Sequence, residues 1–443
     1  MKSPLVRLRR LRIASAAGLL LLGALVACGS GPPMSDAEAT SEELGGAALQ
    51  AAPIGEVPPP AAAPDPEDVA FYLEAARTAW RLIERNYSPE TGLISATTHY
   101  EFATTWDIGS GLGALYAAKE LGILPKDEYR TRMARMLETL VRAPLFDGVA
   151  YHKVYSTRTG GMVDRRSQPS TRGYGWSATD LGRFLIWLRI VAGDGDGDFR
   201  PLAQQIVDRM DFSTIVQDGY MRGRFVEGNL FQEGRIGYEQ YVATGFALWD
   251  HPPQNALDAH RHLEMTTVLG KPVPRDRRGL DRLRSEPFVM MGLEVGWTPE
   301  MRDFARAVLD VQRARYEQTG QVTIVSEDAV SVAPHHFYYY CVLCNGQAFV
   351  IDISEPGEVR DSPRWVSTKN AFGWHALLPD DYTALALEAV GGARGEQGWA
   401  SGVFEGTGES TQTYDINTAA VILEAALYMQ KGGPILASVG RSD

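Results

Sequence analysis

Five carboxylic acids of this 443-residue chain fall inside short segments dense in aromatic rings, glycines and polar groups. They are Asp107, Glu233, Glu239, Glu286 and Asp415, with Glu227 and Glu405 close by. A carboxyl group that keeps its proton can protonate a leaving oxygen. An ionised one can act from the opposite face as base or nucleophile, and hydrolysis of a glycosidic bond needs both. Trp106 beside Asp107 offers a flat apolar face of the kind on which a pyranose ring stacks. Asp107 and Asp415 each read equally well as helix N-caps, because a short carboxylate satisfies free amides there. Glu286 precedes Pro287, which marks a helix start.

Six such segments occur, and each leads into a helix-forming stretch. They are Thr104-Thr105-Trp106-Asp107, Gly173-Tyr174-Gly175-Trp176-Ser177, residues 232–239, Ser285-Glu286-Pro287-Phe288, residues 367–375, and residues 413–417. The helices they open are apolar on more than one face, as Ile108 to Ala118 shows, which suits burial. The intervening helices, such as 126–142 and 299–317, carry one apolar stripe and one charged face. Asp65-Pro66-Glu67-Asp68 and Thr298-Pro299-Glu300 are well-formed helix starts. Six inner helices alternating with outer ones predict an all-α fold, an (α/α)6 toroid whose inner N-termini converge on one concave site. Trp106, Trp176, Tyr238, Glu233, Glu286, Lys369, Trp374 and His375 are the expected substrate-binding set, with Glu239, Asp107 and Asp415 the expected catalytic carboxylates.

One region departs from the helical pattern. Residues 322–332 and 337–353 are rich in Val, Ile and Tyr, and Asn345-Gly346 between apolar runs predicts a β-hairpin insertion. Cys341 and Cys344 lie there. Positions three apart on a strand point to opposite faces, so the reading is two buried thiols. A disulfide, which needs a distorted backbone, is the alternative. Asp194-Gly195-Asp196-Gly197-Asp198 begins like a calcium loop. Its sixth position is Phe199 rather than Gly and its twelfth Gln205 rather than Glu, so an acidic turn is the reading and no metal site is expected.

Outside this domain the chain is simple. Lys2, Arg7, Arg9, Arg10 and Arg12 precede an apolar run from Ile13 to Ala27, which reads as an export signal over residues 1–27. Leu25-Val26-Ala27-Cys28 resembles the bacterial lipobox and implies lipidation at Cys28; an uncleaved N-terminal anchor is the alternative. Gly29 after that cysteine implies the outer membrane where a host has two. Residues 28–64 are rich in Ala, Pro and Gly and read as a flexible tether. Residues 65–432 form the domain and 433–443 a C-terminal tail. With 43 Lys and Arg against 55 Asp and Glu, the formal charge of −12 argues against nucleic acid as a partner. No cofactor is expected.

Thr105-Trp106-Asp107-Ile108-Gly109-Ser110, the residues from Gly175 to Arg183, Gly237-Tyr238-Glu239-Gln240-Tyr241, the residues from Ser367 to His375, and Asn417-Thr418-Ala419 resemble the DUF3131 family over most of residues 70 to 430. That family is similar to the six-hairpin glycosidases, including β-1,2-glucanases and the glucoamylase-like domains of cyclic β-1,2-glucan synthases. The resemblance implies a cell-envelope glycoside hydrolase or transglycosylase acting on a β-glucan or exopolysaccharide, with inversion. It also makes Glu239 the first choice for general acid, since the related domains have Asn-Glu after Ile-Gly-Tyr. Strictly, Gln240 occupies the glutamate's place. If the register is rigid, the alternative is a non-catalytic glycan-binding or polysaccharide-assembly lipoprotein.

Overall fold

The computed structural model describes residues 65–225, 228–279, 282–332, 337–352 and 363–439. The expected signal, the tether, Cys28 and Glu227 lie outside them.

Fourteen helices are described, in chain order α1 (Pro66–Asn86), α2 (Thr105–Glu120), α3 (Lys126–Arg142), α4 (Ala178–Ala192), α5 (Arg200–Asp208), α6 (Phe212–Ile215) and α7 (Tyr238–Ala247). Then come α8 (Gln254–Leu257), α9 (Glu286–Glu294), α10 (Pro299–Thr319), α11 (Thr368–Leu377), α12 (Asp381–Ala389), α13 (Ile416–Lys431) and α14 (Ile435–Ser438). The helices opened by the six rich segments are α2, α4, α7, α9, α11 and α13. Each packs on the next, and α13 returns to α2, so they close a ring. Ring helices are buried nearly all round: α2 is covered from Thr105 to Lys119 and α4 from Ala178 to Leu188. By contrast α3 buries one stripe, Tyr129, Met133, Met136, Leu137 and Leu140, at the helical repeat. Such a helix belongs outside the ring.

Backbone contact sets the ring's tightness on one side. A Cβ at Gly245 would lie 2.0 Å from the Gly182 carbonyl oxygen, and one at Gly182 would lie 2.4 Å from that of Val242. Only glycine lets α4 and α7 approach so closely.

The expected starts hold. Asp65 caps α1 by accepting from the Glu67 amide at 2.9 Å, and Thr298 caps α10 through Met301 at 3.2 Å. The hairpin also forms. Strand Phe337–Cys344 pairs antiparallel with Gln347–Asp352 around Asn345-Gly346, both with positive φ as the tight turn requires.

Three expectations need correction. The fold is not all-α beyond one hairpin. A second hairpin, Leu263–Val268 with Lys271–Asp276, precedes α9, and short strands line most of the lead-in loops. Pro272 and Pro274 in its second strand mask the strand pattern in the sequence. Cys341 and Cys344 form a disulfide, with Cα atoms 5.7 Å apart, instead of two thiols. The backbone distortion this needs is present: the ladder skips Val342 and Phe349, and Phe349 has φ +51°. Lastly, part of the expected tail folds, since Ile435 of α14 is buried.

The acidic turn after α4 is held by a lysine. Lys119 Nζ lies 2.8 Å from Asp194 and 3.1 Å from Asp196, and also pairs with Glu120. These three acids converge closely enough to hold a metal ion, and the ammonium stands among them.

Candidate active site

The lead-in segments bring titratable groups to the N-terminal ends of all six ring helices. Asp107 serves α2, Asp180 α4, Glu233 and Glu239 α7, Glu286 α9, Lys369 α11 and Asp415 α13. Trp106 stands among them. It is 9 % exposed, with Tyr238 at 5.8 Å, Tyr241 at 6.2 Å and the Arg183 guanidinium 5.0 Å from its ring.

Asp107 is not the N-cap of α2. Thr104 is, and Asp107 completes a capping box, accepting from the Thr104 amide at 2.8 Å and hydroxyl at 2.7 Å. Its other oxygen accepts from Asn417 at 2.9 Å, joining α2 to α13. Burial raises its pKa against these hydrogen bonds. Asp415 caps α13, accepting from the Thr418 amide at 2.9 Å and hydroxyl at 2.8 Å. Glu239 is closed by Arg278, whose guanidinium donates to both carboxylate oxygens, at 3.1 and 2.6 Å. Gln232 donates to it as well, at 2.7 Å. Burial pushes the Glu239 pKa up and Arg278 pulls it down. Gln240 folds back as a cap, accepting from the Gly237 amide at 2.9 Å and donating to the Ala256 carbonyl at 3.0 Å.

Two other acids behave differently. Glu233 accepts through one oxygen from the amides of Ala178 and Thr179 at the start of α4. Its second oxygen is buried with no partner among the described residues. Burial pushes this carboxyl up to about 7, opposed by Lys153 and the two amides and reinforced by Asp180. Lys153 and Asp180 form a buried ion pair at 2.8 Å. Glu286 accepts from Lys369 at 2.8 Å and likewise leaves its second oxygen without a partner. Burial raises it to about 8. Lys369 opposes the shift, and the charges of Glu327 and Asp328 add to it. One ammonium serves Glu286, Asp328 at 3.3 Å and the Glu327 carbonyl at 2.7 Å, so the cluster has more acids than cations. A proton retained on Glu286 resolves the excess. Tyr238 donates to Glu327, and Arg284 pairs with Glu327 at 2.8 Å.

The remaining expected groups stand apart. Trp176 is fully buried and donates its indole N–H to the Arg222 carbonyl at 2.9 Å. Trp374 is also fully buried, near the C-terminal end of α11 and 6.5 Å from Trp297. His375 faces Thr383 at 3.0 Å, and burial lowers its pKa. Neither Trp374 nor His375 lies at a ring-helix N-terminus, because each is two turns into α11. Glu405 pairs with Arg315 at 2.9 Å. A hollow of about 730 Å³ lies elsewhere, lined by Val207, Phe212, Trp249 and His251.

Sequence reasoning missed the partners that give the acids their character. Lys153, Asp180, Arg278, Glu327 and Asp328 come from other parts of the chain. Deeper in the ring, Arg183 of α4 pairs with Glu294 of α9 at 3.1 Å and Glu424 of α13 at 3.0 Å, all fully buried. Of these, Asp180 alone stands three residues after a capping residue, Ser177, a spacing that the sequence makes visible. The Ser177 hydroxyl does accept from its amide, at 3.3 Å, but the carboxylate turns to Lys153.

A closed helical ring with acids and aromatic rings at one end defines the helical-toroid class. The chain belongs to the DUF3131 family, proteins of unknown function, whose profile matches residues 74–432. Solved structures share the fold at low identity. One from Bacteroides caccae, described as a candidate glucoamylase, superposes with a TM-score of 0.62 at 14% identity, covering 84% of this chain and 95% of the other. The endo-β-1,2-glucanase from Chitinophaga pinensis, solved with sophorotriose and glucose, gives 0.57 at 12%, covering 85% and 95%. The endo-β-1,2-glucanase from Talaromyces funiculosus, solved as a mutant with β-1,2-glucan, gives 0.56 at 12%, covering 84% and 85%. No curated protein matches.

Proposed function

We propose that this protein is a glycoside hydrolase of the cell envelope, an (α/α)6 toroid held to a membrane by a lipid on Cys28 and cleaving a β-glucan or exopolysaccharide. Glu233 is the proposed general acid. The observation that carries this is its half-satisfied carboxyl: one oxygen fixed by the α4 amides, the other buried without a partner, the proton held to about pH 7. A general acid works best when its pKa lies near the working pH. Glu286 shares these features and is the second candidate. The second carboxylate is drawn from Asp107, Glu239 and Asp415, each held in place by the hydrogen bonds it accepts. Trp106 and Tyr238 supply the sugar-facing rings, and inversion is the proposed outcome. The glucanases that share this fold at low identity support a sugar substrate.

The experiment incubates the purified domain with a panel of β-glucans and follows new reducing ends. Wild type should release sugar. E233Q should lose at least a hundredfold in rate while melting normally, because an amide oxygen can still accept from the α4 amides. E286Q, E239Q, D107N and D415N complete the set. Release of no sugar from any glucan, or wild-type rates in all five variants, would overturn the reading. A glycan-binding protein without turnover is the second reading. It is favoured by the closure of Glu239 under Arg278 and by Gln240 at the neighbouring position.

A further inference from the structure

The lead-in loops divide the mouth of the ring into two electrical halves. The described residues of those before α4, α7 and α9 (residues 143–177, 209–237 and 248–285) hold 16 Lys and Arg against 9 Asp and Glu. The described residues of those before α2, α11 and α13 (87–104, 320–367 and 390–415) hold 2 against 9. A chain with a formal charge of −12 thus concentrates its cations on one side of its candidate site.

Strand Tyr220–Phe225 organises the basic half. Alternation turns Met221, Gly223 and Phe225 inward and leaves Tyr220, Arg222 and Arg224 half-exposed on the outer face. The inner face lies against the proposed acid, since a Cβ at Gly223 would come 2.8 Å from Glu233 Oε2. The outer face therefore carries a guanidinium track on the far side of the strand from Glu233. At one end, Tyr220 has the Arg278 guanidinium 5.9 Å from its ring, and its hydroxyl accepts from Arg261 at 3.0 Å. At the other end, Arg165 covers the rings of Tyr174 and Phe225 at 5.7 and 5.8 Å.

These cations are weakly committed. Arg222 pairs with Asp218 at 3.2 Å, a carboxylate 83 % exposed, and Arg224 with Asp147 at 3.4 Å, both half-exposed. Exposed pairs of this kind contribute about 0–1 kcal/mol, so a ligand can displace them. Arg165, Arg166 and Arg172 are exposed and have no carboxylate partner among the described residues. The nearby Asp164 instead accepts from the backbone amides of Arg166 and Gln168, at 2.8 and 2.9 Å.

We propose that the natural substrate is an anionic polysaccharide, whose carboxylate-bearing residues reach Arg222, Arg224 and Arg165 around the edges of this strand while the scissile bond sits at Glu233, a strand's thickness away. This rests on the reading of the mouth as a glycan site, and it goes beyond the uncharged glucans of the similar structures. Planar guanidinium groups suit carboxylates, which they grip through two parallel hydrogen bonds. The acidic half of the mouth repels the same groups, so the two halves together would fix which way the chain lies.

The test measures binding of the domain to carboxymethylated β-glucan oligosaccharides and to unsubstituted ones of equal length. The carboxymethylated form should bind at least tenfold tighter in about 20 mM salt, with the preference fading towards 500 mM as screening shortens the charge's reach. The triple variant R165Q/R222Q/R224Q should melt like wild type, since its ion pairs are exposed, and lose most of the preference. Equal affinity for the two ligands overturns the proposal, as does a preference that survives the triple variant. Equally tight binding of single-stranded DNA of matched charge also overturns it, by showing a surface indifferent to the sugar. A preference without cleavage of either ligand would defeat hydrolysis and leave this inference standing. Cleavage of the neutral ligand without preference would do the reverse.

Discussion

Arg278 closes on Glu239 through two hydrogen bonds, 3.1 Å to Oε1 and 2.6 Å to Oε2, and the same guanidinium reaches Asp276 at 2.6 Å. Glu239 is thus the member of the second hairpin's ion-pair network that touches α7. Removing the cation leaves two buried carboxylates facing each other. R278Q should lower unfolding stability by about 3 kcal/mol in urea titration. E239Q in that background should restore part of it. A stability loss under 1 kcal/mol in R278Q would show the pair to be peripheral.

The raised carboxyls set a pH dependence. Glu233 at about 7 and Glu286 at about 8 bind protons in the folded state that an unfolded chain releases near 4.3. Their stabilisation is complete below about pH 4 and is lost as pH rises through 7 to 8. Melting temperature should fall between pH 5 and 8.5, and E233Q/E286Q should flatten that fall. A flat wild-type profile over this window would count against both shifts.

The α4–α7 crossing admits no side chain. G245A would place its Cβ against the Gly182 backbone, so the ring must open. Loss of soluble expression, or a melting temperature lowered by 10 °C or more, is expected. G406A, where a Cβ meets nothing within 4 Å, is the control and should behave as wild type. Normal melting in G245A would mean the helices slide apart freely.

Arg183 holds Glu294 and Glu424 together, and its Nη1 donates to the Ser110 hydroxyl. R183M removes the only cation paired with either acid among the described residues and strips one side of Trp106. Unfolding stability should drop by roughly 3–5 kcal/mol, and Trp106 fluorescence should shift to the red. Wild-type stability with an unchanged spectrum would remove Arg183 from any structural role.

What the sequence revealed followed from short-range rules. Each of the six rich segments opens a ring helix, because apolar residues all round a helix and a capping residue before it are local signals. The Asn345-Gly346 turn was legible for the same reason. The carboxylates' chemical states were not. Glu233 and Glu239 lie six residues apart, one before α7 and one in its first turn, yet one has an oxygen with no partner among the described residues and the other is gripped by Arg278 from the next loop. Lys369 meets Glu286 across 83 positions and Arg183 meets Glu424 across 241. Pairings of that range are fixed by ring closure, which no local pattern encodes. The disulfide is not legible around the two cysteines, because the ladder's irregularity includes Phe349 on the opposite strand.

The turn after α4 has a further consequence. Three acids meet there as they would around calcium, and Lys119 brings the charge that an ion would otherwise supply. A cation encoded in the chain cannot be stripped by a chelator or diluted away. The carboxylates of this corner therefore keep a positive partner that travels with the chain.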